Sequence, residues 1–225
     1  MHPPNHPQTV NWPQAPATIL ALAAHQTIPR PVIGITGPVG AGKSTLAQKL
    51  AEAFPSPAPA QPTKGGRLPA AHSPTLIIPT DHYLPDYHTI AQSQRDNPDQ
   101  SDLEALADHL ALLKVGKPAH IPIWSFHTHR RTGTHQVEPA SLIIIEGIHA
   151  LNERLELDIA VFIDAPPDTR WQRWEHLERT GQRGWGVEKA REHFHQIAEP
   201  AFTRHAPAYK ARANILVIND APSPP

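Results

Sequence analysis

The sequence predicts an α/β fold, a three-layer sandwich with a mostly parallel sheet and helices on both faces, and three observations carry that prediction. Short β-branched apolar runs alternate with segments of helical periodicity, as buried parallel strands and their crossover helices do. Two of these runs end on a carboxylate, at Thr80-Asp81 and at Glu146, which puts acid at the rim where open α/β sheets bind ligands. Between one strand-like run and the next helix lies Gly37-Pro38-Val39-Gly40-Ala41-Gly42-Lys43-Ser44, of the form GxxxxGK[ST].

In chain order, residues 1–29 read as a Pro-rich tail followed by a short helix. Residues 1–16 are rich in Pro, Asn, Gln and His and are expected to be disordered, and the helix runs from about Ala17 to His25. One domain is expected over 30–220, a length that a single core can serve. Its strands fall at 32–36, 75–79, 142–146, 159–163 and 214–218, and its helices at 43–53, 101–113, 167–180 and 187–204. Residues 54–74 hold six prolines and Gly65-Gly66, so they read as a long surface loop, a tolerated insertion rather than a lid. The segment 121–133 is aromatic and cationic with neither period, and reads as a binding loop or hairpin. Residues 221–225 form a second tail.

The GxxxxGK[ST] run is a phosphate cradle. Gly37, Gly40 and Gly42 permit conformations and close approaches that a Cβ obstructs, so amides, Ala41 among them, can turn toward phosphate oxygens. The helix through Thr45 adds its positive end, Lys43 reaches the β and γ phosphates, and the Ser44 hydroxyl is placed to ligate Mg²⁺. Asp81 can accept the proton of an attacking hydroxyl, bind metal, or merely cap the turn before His82-Tyr83. Glu146, ionised after four apolar residues, is costly to bury unless a metal or a water-filled site receives it. Trp124 offers a flat face to a ring or plugs the core, while His129 and Arg131 offer donors to hydroxyls or phosphate. Arg170, Arg173, Arg179 and Arg183 recur on a helix and the Gly-rich stretch after it. They belong either to a flap that folds over a triphosphate or to a solvated face, and at least two are expected to be functional. The pairs His127/His129 and His193/His195 reflect the 16 histidines of this chain better than a zinc site.

Composition narrows the class. A formal charge of −1 gives no footprint for a nucleic-acid duplex or an anionic membrane, and no apolar run approaches the roughly 20 residues of a membrane span. The absence of cysteine excludes a disulfide framework, a thiolate metal site and a Cys nucleophile, and suits a reducing, cytoplasmic compartment. The apolar run 18–24 is not preceded by any Lys or Arg, so a secretory signal is rejected. Homo-oligomerisation stays open.

Taken together, the segments resemble the uridine kinase and phosphoribulokinase family of P-loop kinases, most closely its uridine-cytidine kinase branch. The pieces are GPVGAGKST at the cradle, Pro79-Thr80-Asp81-His82-Tyr83, Asp96-Asn97-Pro98-Asp99 and Leu113-Lys114-Val115-Gly116-Lys117-Pro118. Ile121 to Phe126 with Thr128 to Arg131, Glu138-Pro139-Ala140, Ile145 to Leu151 and Asp168-Thr169-Arg170 complete the set. The resemblance implies a P-loop NTPase sandwich with a small substrate-binding hairpin and flap, using ATP and Mg²⁺ on a small-molecule hydroxyl, with the uridine or cytidine 5′-hydroxyl as best guess. It implies Asp81 as base, Asp96 and Tyr83 at the acceptor, His129 and Arg131 near its base or sugar, and Glu146 near Mg²⁺. Trp124 stands where uridine kinases usually carry Tyr, Arg95 replaces a Phe, and Arg179 to Trp185 replaces an Arg-Gly-Arg-Asp run. The same family phosphorylates pantothenate, glycerate and sugar phosphates, which stay as alternatives, as does a regulatory nucleotide-binding module. The Asn-Lys-x-Asp of guanine-specific GTPases is absent.

Overall fold

In a computed structural model of the chain, residues 7–55 and 74–220 are described. The loop expected at 54–74 lies mostly outside them, as does the C-terminal tail. A parallel sheet is built from β1 (Gln8–Asn11), β2 (Val32–Thr36), β3 (Thr75–Pro79), β6 (Leu142–Glu146), β7 (Ile159–Asp164) and β8 (Ile215–Ile218), in the order β1-β8-β7-β2-β6-β3. Every residue of β2 and β6 is buried, as their apolar runs require of central parallel strands, the terminal Thr36 and Glu146 included.

Helices cover both faces. On one, α1 (Ala15–Ala24) and α2 (Lys43–Ala53) bury Ile19, Ala23, Leu46 and Leu50 against Ile33, Ile144 and Val161. On the other, α3 (Leu103–Lys114) and α6 (Glu199–Arg212) bury Leu106, Leu110, Phe202 and Tyr209 against Ile143, Ile145 and Phe162. Between β7 and α6 run α4 (Pro167–Arg179) and α5 (Val187–His193), whose Trp174 and Ala190 form a smaller cluster with Phe194, the residue after α5. The antiparallel hairpin β4 (Ala119–Ser125) and β5 (Arg130–Val137) stands apart from the main sheet. By strand alternation Ile121 joins the core under α3 while Trp124, on the opposite face, packs with Leu84 and Tyr87; a bulge at Thr132 of β5 shifts the register between Ile123 and Trp124.

Two expectations need correction. Residues 8–11, read as part of a disordered tail, form β1, an edge strand pairing in parallel with β8 and anchored by buried Val10. A run with one inward apolar residue is too short to outweigh Pro-rich surroundings in the sequence, and the exposed edge of β8 supplies the missing partner. The single helix expected over 187–204 is three pieces: α5, a π-helical turn at Phe194–Ala198, and α6, which continues to Arg212 across Pro207. Among the described residues, no helix is long and apolar enough to cross a membrane.

Candidate active site

The cradle connects β2 to α2 at the centre of the sheet. Gly40 and Gly42 hold φ of 76° and 100°, in the left-handed region. A Cβ on Gly42 would meet Asn219 Nδ2 at 2.7 Å and Trp12 Cη2 at 3.0 Å, so both backbone and neighbours demand glycine there. The loop is braced from outside: Asn219 Nδ2 donates to the Ala41 carbonyl at 2.8 Å, and Arg173 Nη1 donates to the Gly40 carbonyl at 3.0 Å. Arg173 Nη2 also donates to Asn219 Oδ1 at 3.2 Å, closing the brace. Lys43 Nζ folds back to the Pro38 carbonyl at 3.0 Å.

Adjacent strands deliver the acids. Glu146 ends β6 opposite Ile35 on one side and Pro79 on the other, so Asp81, two residues beyond β3, reaches the same rim. Ser44 Oγ donates to Glu146 Oε1 at 3.1 Å. Burial pushes Glu146 up from the usual carboxylate range, reinforced by Asp81 and opposed by Lys43. Burial pushes Asp81 up as well, against the pull of Arg183 and Lys43. Lys43 is shifted down, again chiefly by burial, with Glu146 and Asp81 holding its proton on. Buried carboxylates that repel each other, beside a hydroxyl, form a set of hard oxygen donors that suits Mg²⁺.

The cleft has a volume of about 520 Å³ and continues from these acids into a chamber walled by Tyr87, Trp124, Phe126, His129 and Trp185. His129 stacks on Trp185 with ring centroids 4.9 Å apart, and Tyr87 meets Trp124 edge-on at 5.1 Å. Asp96 sits at its edge, buried, with Oδ1 accepting from Tyr87 Oη at 2.8 Å and Oδ2 lying 3.0 Å from His193 Nε2. Burial alone would raise the Asp96 carboxyl, but the hydrogen bonds of His193 and Tyr87 outweigh it and hold it low. His129, at the hairpin tip with φ of 53°, is pushed down to about 4 by burial and by the positive charges of Lys189 and Arg95.

Of the residues singled out in the sequence, Gly40, Gly42, Lys43, Ser44, Thr45, Asp81, Asp96, Trp124, His129, Glu146, Arg173 and Arg183 line this one cleft. Gly37 and Ala41 belong to the loop behind that lining. Four others lie outside it. Tyr83 is fully buried with its hydroxyl 2.8 Å from His109 Nδ1, and Arg131 ties the Tyr83 and Leu84 carbonyls to Asp102. Arg170 is buried, paired with Glu199 and donating to the Ala165 and Val39 carbonyls. Arg179 is exposed and pairs with Glu175 at 2.7 Å. Sequence reasoning missed Trp12, Tyr87, Phe126, Trp185, His193 and Asn219 as cleft residues. Only the aromatic density near 124–126 and 185 signalled any of them.

The model of the Phosphoribulokinase / Uridine kinase family matches residues 32–222. Uridine kinases of Cronobacter sakazakii and Klebsiella pneumoniae are each 29% identical over 204 residues, covering 86% of this chain and 88% of theirs. Among solved structures, a provisionally assigned fructose transport system kinase from Silicibacter sp. TM1040 superposes with a TM-score of 0.66 at 18% identity, covering 90% of this chain and 96% of that one. A possible uridine kinase from Bacillus stearothermophilus gives 0.55 at 21% identity, covering 90% and 95%.

Proposed function

The chain belongs to the phosphoribulokinase / uridine kinase family and is a P-loop kinase, and from that premise we propose that it moves the γ-phosphoryl of ATP to a hydroxyl of a nucleoside, uridine or cytidine first. One observation carries this reading: Asp81, Lys43, Glu146 and Arg183 line the same cleft as a chamber of aromatic rings, which suits a flat base with its hydroxyl directed at the acids. Ser44 and Glu146 would hold Mg²⁺, which neutralises charge on the β and γ phosphates when bound.

This chain's own residues do the rest. Lys43 offsets charge on the transferring phosphoryl group, and Arg183 approaches it from the flap. Asp81 orients the acceptor and takes its proton as the oxygen–phosphorus bond forms and the bond to the departing ADP oxygen breaks. Burial favours this role, since a carboxyl raised from its usual range is the stronger base. The aromatic walls exclude water that would otherwise compete as acceptor.

A second reading has its own observation. Both Asp96 oxygens are already engaged by Tyr87 and His193, which leaves that carboxylate less ready for ribose hydroxyls and favours a non-nucleoside alcohol such as pantothenate, glycerate or a sugar phosphate. The test is an ADP-release assay over a panel of acceptors, with product identified by mass. Turnover highest with uridine or cytidine supports the first reading. Turnover confined to a non-nucleoside alcohol replaces it with the second.

A further inference from the structure

We propose that Trp12 is the platform on which the base of the bound nucleotide stacks. This rests on the reading that the cradle binds a nucleoside triphosphate.

The sheet order gives the cleft a direction. The cradle leaves β2 near the middle, the acids Glu146 and Asp81 leave β6 and β3 on one side, and β8 and β1 lie on the other. A triphosphate held by the cradle with its γ end toward Asp81 therefore runs its α end, sugar and base toward β8 and β1. At that end the register pairs Asn11 with Ile218, so the next residues of each strand, Trp12 and Asn219, arrive side by side at the carboxyl rim. Both line the cleft, with Thr45, Arg173 and His176.

The indole is pressed against the phosphate loop itself. A Cβ built on Gly42 would lie 3.0 Å from Trp12 Cη2 and 3.4 Å from Cζ3. The same side chain packs on the sheet core that holds Val10 and Ile19 while staying partly exposed in the cleft. A packed, partly exposed indole beside a phosphate loop has what base stacking needs, and stacking is indifferent to which base is offered. Trp12 also lies outside the 32–222 stretch matched by the family model. The platform is thus supplied by the added strand β1 rather than by the matched domain.

Calorimetric binding of ATP and of inorganic tripolyphosphate, each with Mg²⁺, to wild type, Trp12→Leu and Trp12→Phe tests this, since tripolyphosphate carries the phosphates and no base. We expect Trp12→Leu to lose about 5- to 150-fold in ATP affinity, the range of one lost base stack, with tripolyphosphate unaffected and Trp12→Phe close to wild type. Unchanged ATP affinity in Trp12→Leu, or equal losses for both ligands, overturns the platform. A wild type that binds neither ligand overturns the cradle reading and the platform together. Binding of tripolyphosphate as tight as that of ATP overturns the platform alone. Photolabelling of wild type with 2-azido-ATP needs no folded variant: adducts at Trp12 support the proposal, and adducts confined to other segments sink it.

Discussion

Glu178 Oε2 accepts the Gly186 amide at 2.9 Å and the Trp185 amide at 3.2 Å, so the last turn of α4 fastens the flap that follows it. Its other oxygen accepts Trp174 Nε1 at 3.2 Å, tying the same clasp to the aromatic cluster beneath. Hydrogen bonds to a charged group contribute about 1.5–3 kcal/mol each. Glu178→Ala should therefore raise amide exchange at Trp185 and Gly186 by about tenfold or more and raise KM for the acceptor. Exchange unchanged from wild type would show that the flap is held by its rings instead.

Asp81 and Lys43 separate chemistry from binding. Asp81→Asn keeps the shape and removes the proton acceptor, so turnover should fall by about 10²–10⁴ while ATP affinity stays near wild type. Lys43→Ala should weaken both. Single-turnover rates with measured ATP binding decide this, and wild-type turnover in Asp81→Asn is the result that removes its role as base.

Arg183 of the flap and Arg179 at the end of α4 should behave differently. Arg183 lines the cleft with its guanidinium 3.8 Å over the Phe126 ring, whereas Arg179 is exposed and paired with Glu175. Arg183→Ala should lower kcat by about 10²–10³, the usual cost of a donor to a charged transition state. Arg179→Ala should change kcat/KM by no more than about fivefold, as an exposed pair does. The reverse ranking would mean that the flap turns over when substrates bind.

Acid should loosen the flap. His129 is held at about 4 by burial and by Lys189, Arg95, His88 and His193, below the ordinary histidine value of 6.5. A histidine lowered in the folded state contributes stability that is complete above the unfolded value and is lost as pH falls through the window from about 6.5 to about 4. Trp185 Nε1 donates to His129 Nδ1 at 3.3 Å, a bond that needs the neutral ring. Thermal midpoints should fall across that window, and His129→Phe, which keeps the stack, should flatten the fall. The remaining slope is shared by His149, buried under α6 and likewise held at about 4 by burial, and by His82 and His109, which burial also lowers. A slope identical in His129→Phe would remove His129 from the account.

The central strands, the cradle and the two rim acids were legible because each is a local signal: a run of apolar residues, a loop pattern, a carboxylate at a run's end. What stayed hidden depends on long-range partners. Arg170 and Arg131 look like their functional neighbours in sequence, and only the folded chain shows Glu199 facing one and the Tyr83 and Leu84 carbonyls facing the other. Tyr83 and Tyr87 are four residues apart beyond the same strand, yet one turns under α3 and the other into the cleft. β1 needed the edge of β8, more than 200 residues later, to become a strand at all.

The Asn219 side chain braces the Ala41 carbonyl across a separation of 178 residues, and Ser44 meets Glu146 across 102. A nascent chain thus exposes its phosphate loop early and cannot shape it until β8 has been synthesised and has closed onto β7. Because pairing over such distances is slow to form, nucleotide capture should be among the last events of refolding, and added nucleotide should protect the finished sheet without hastening its assembly.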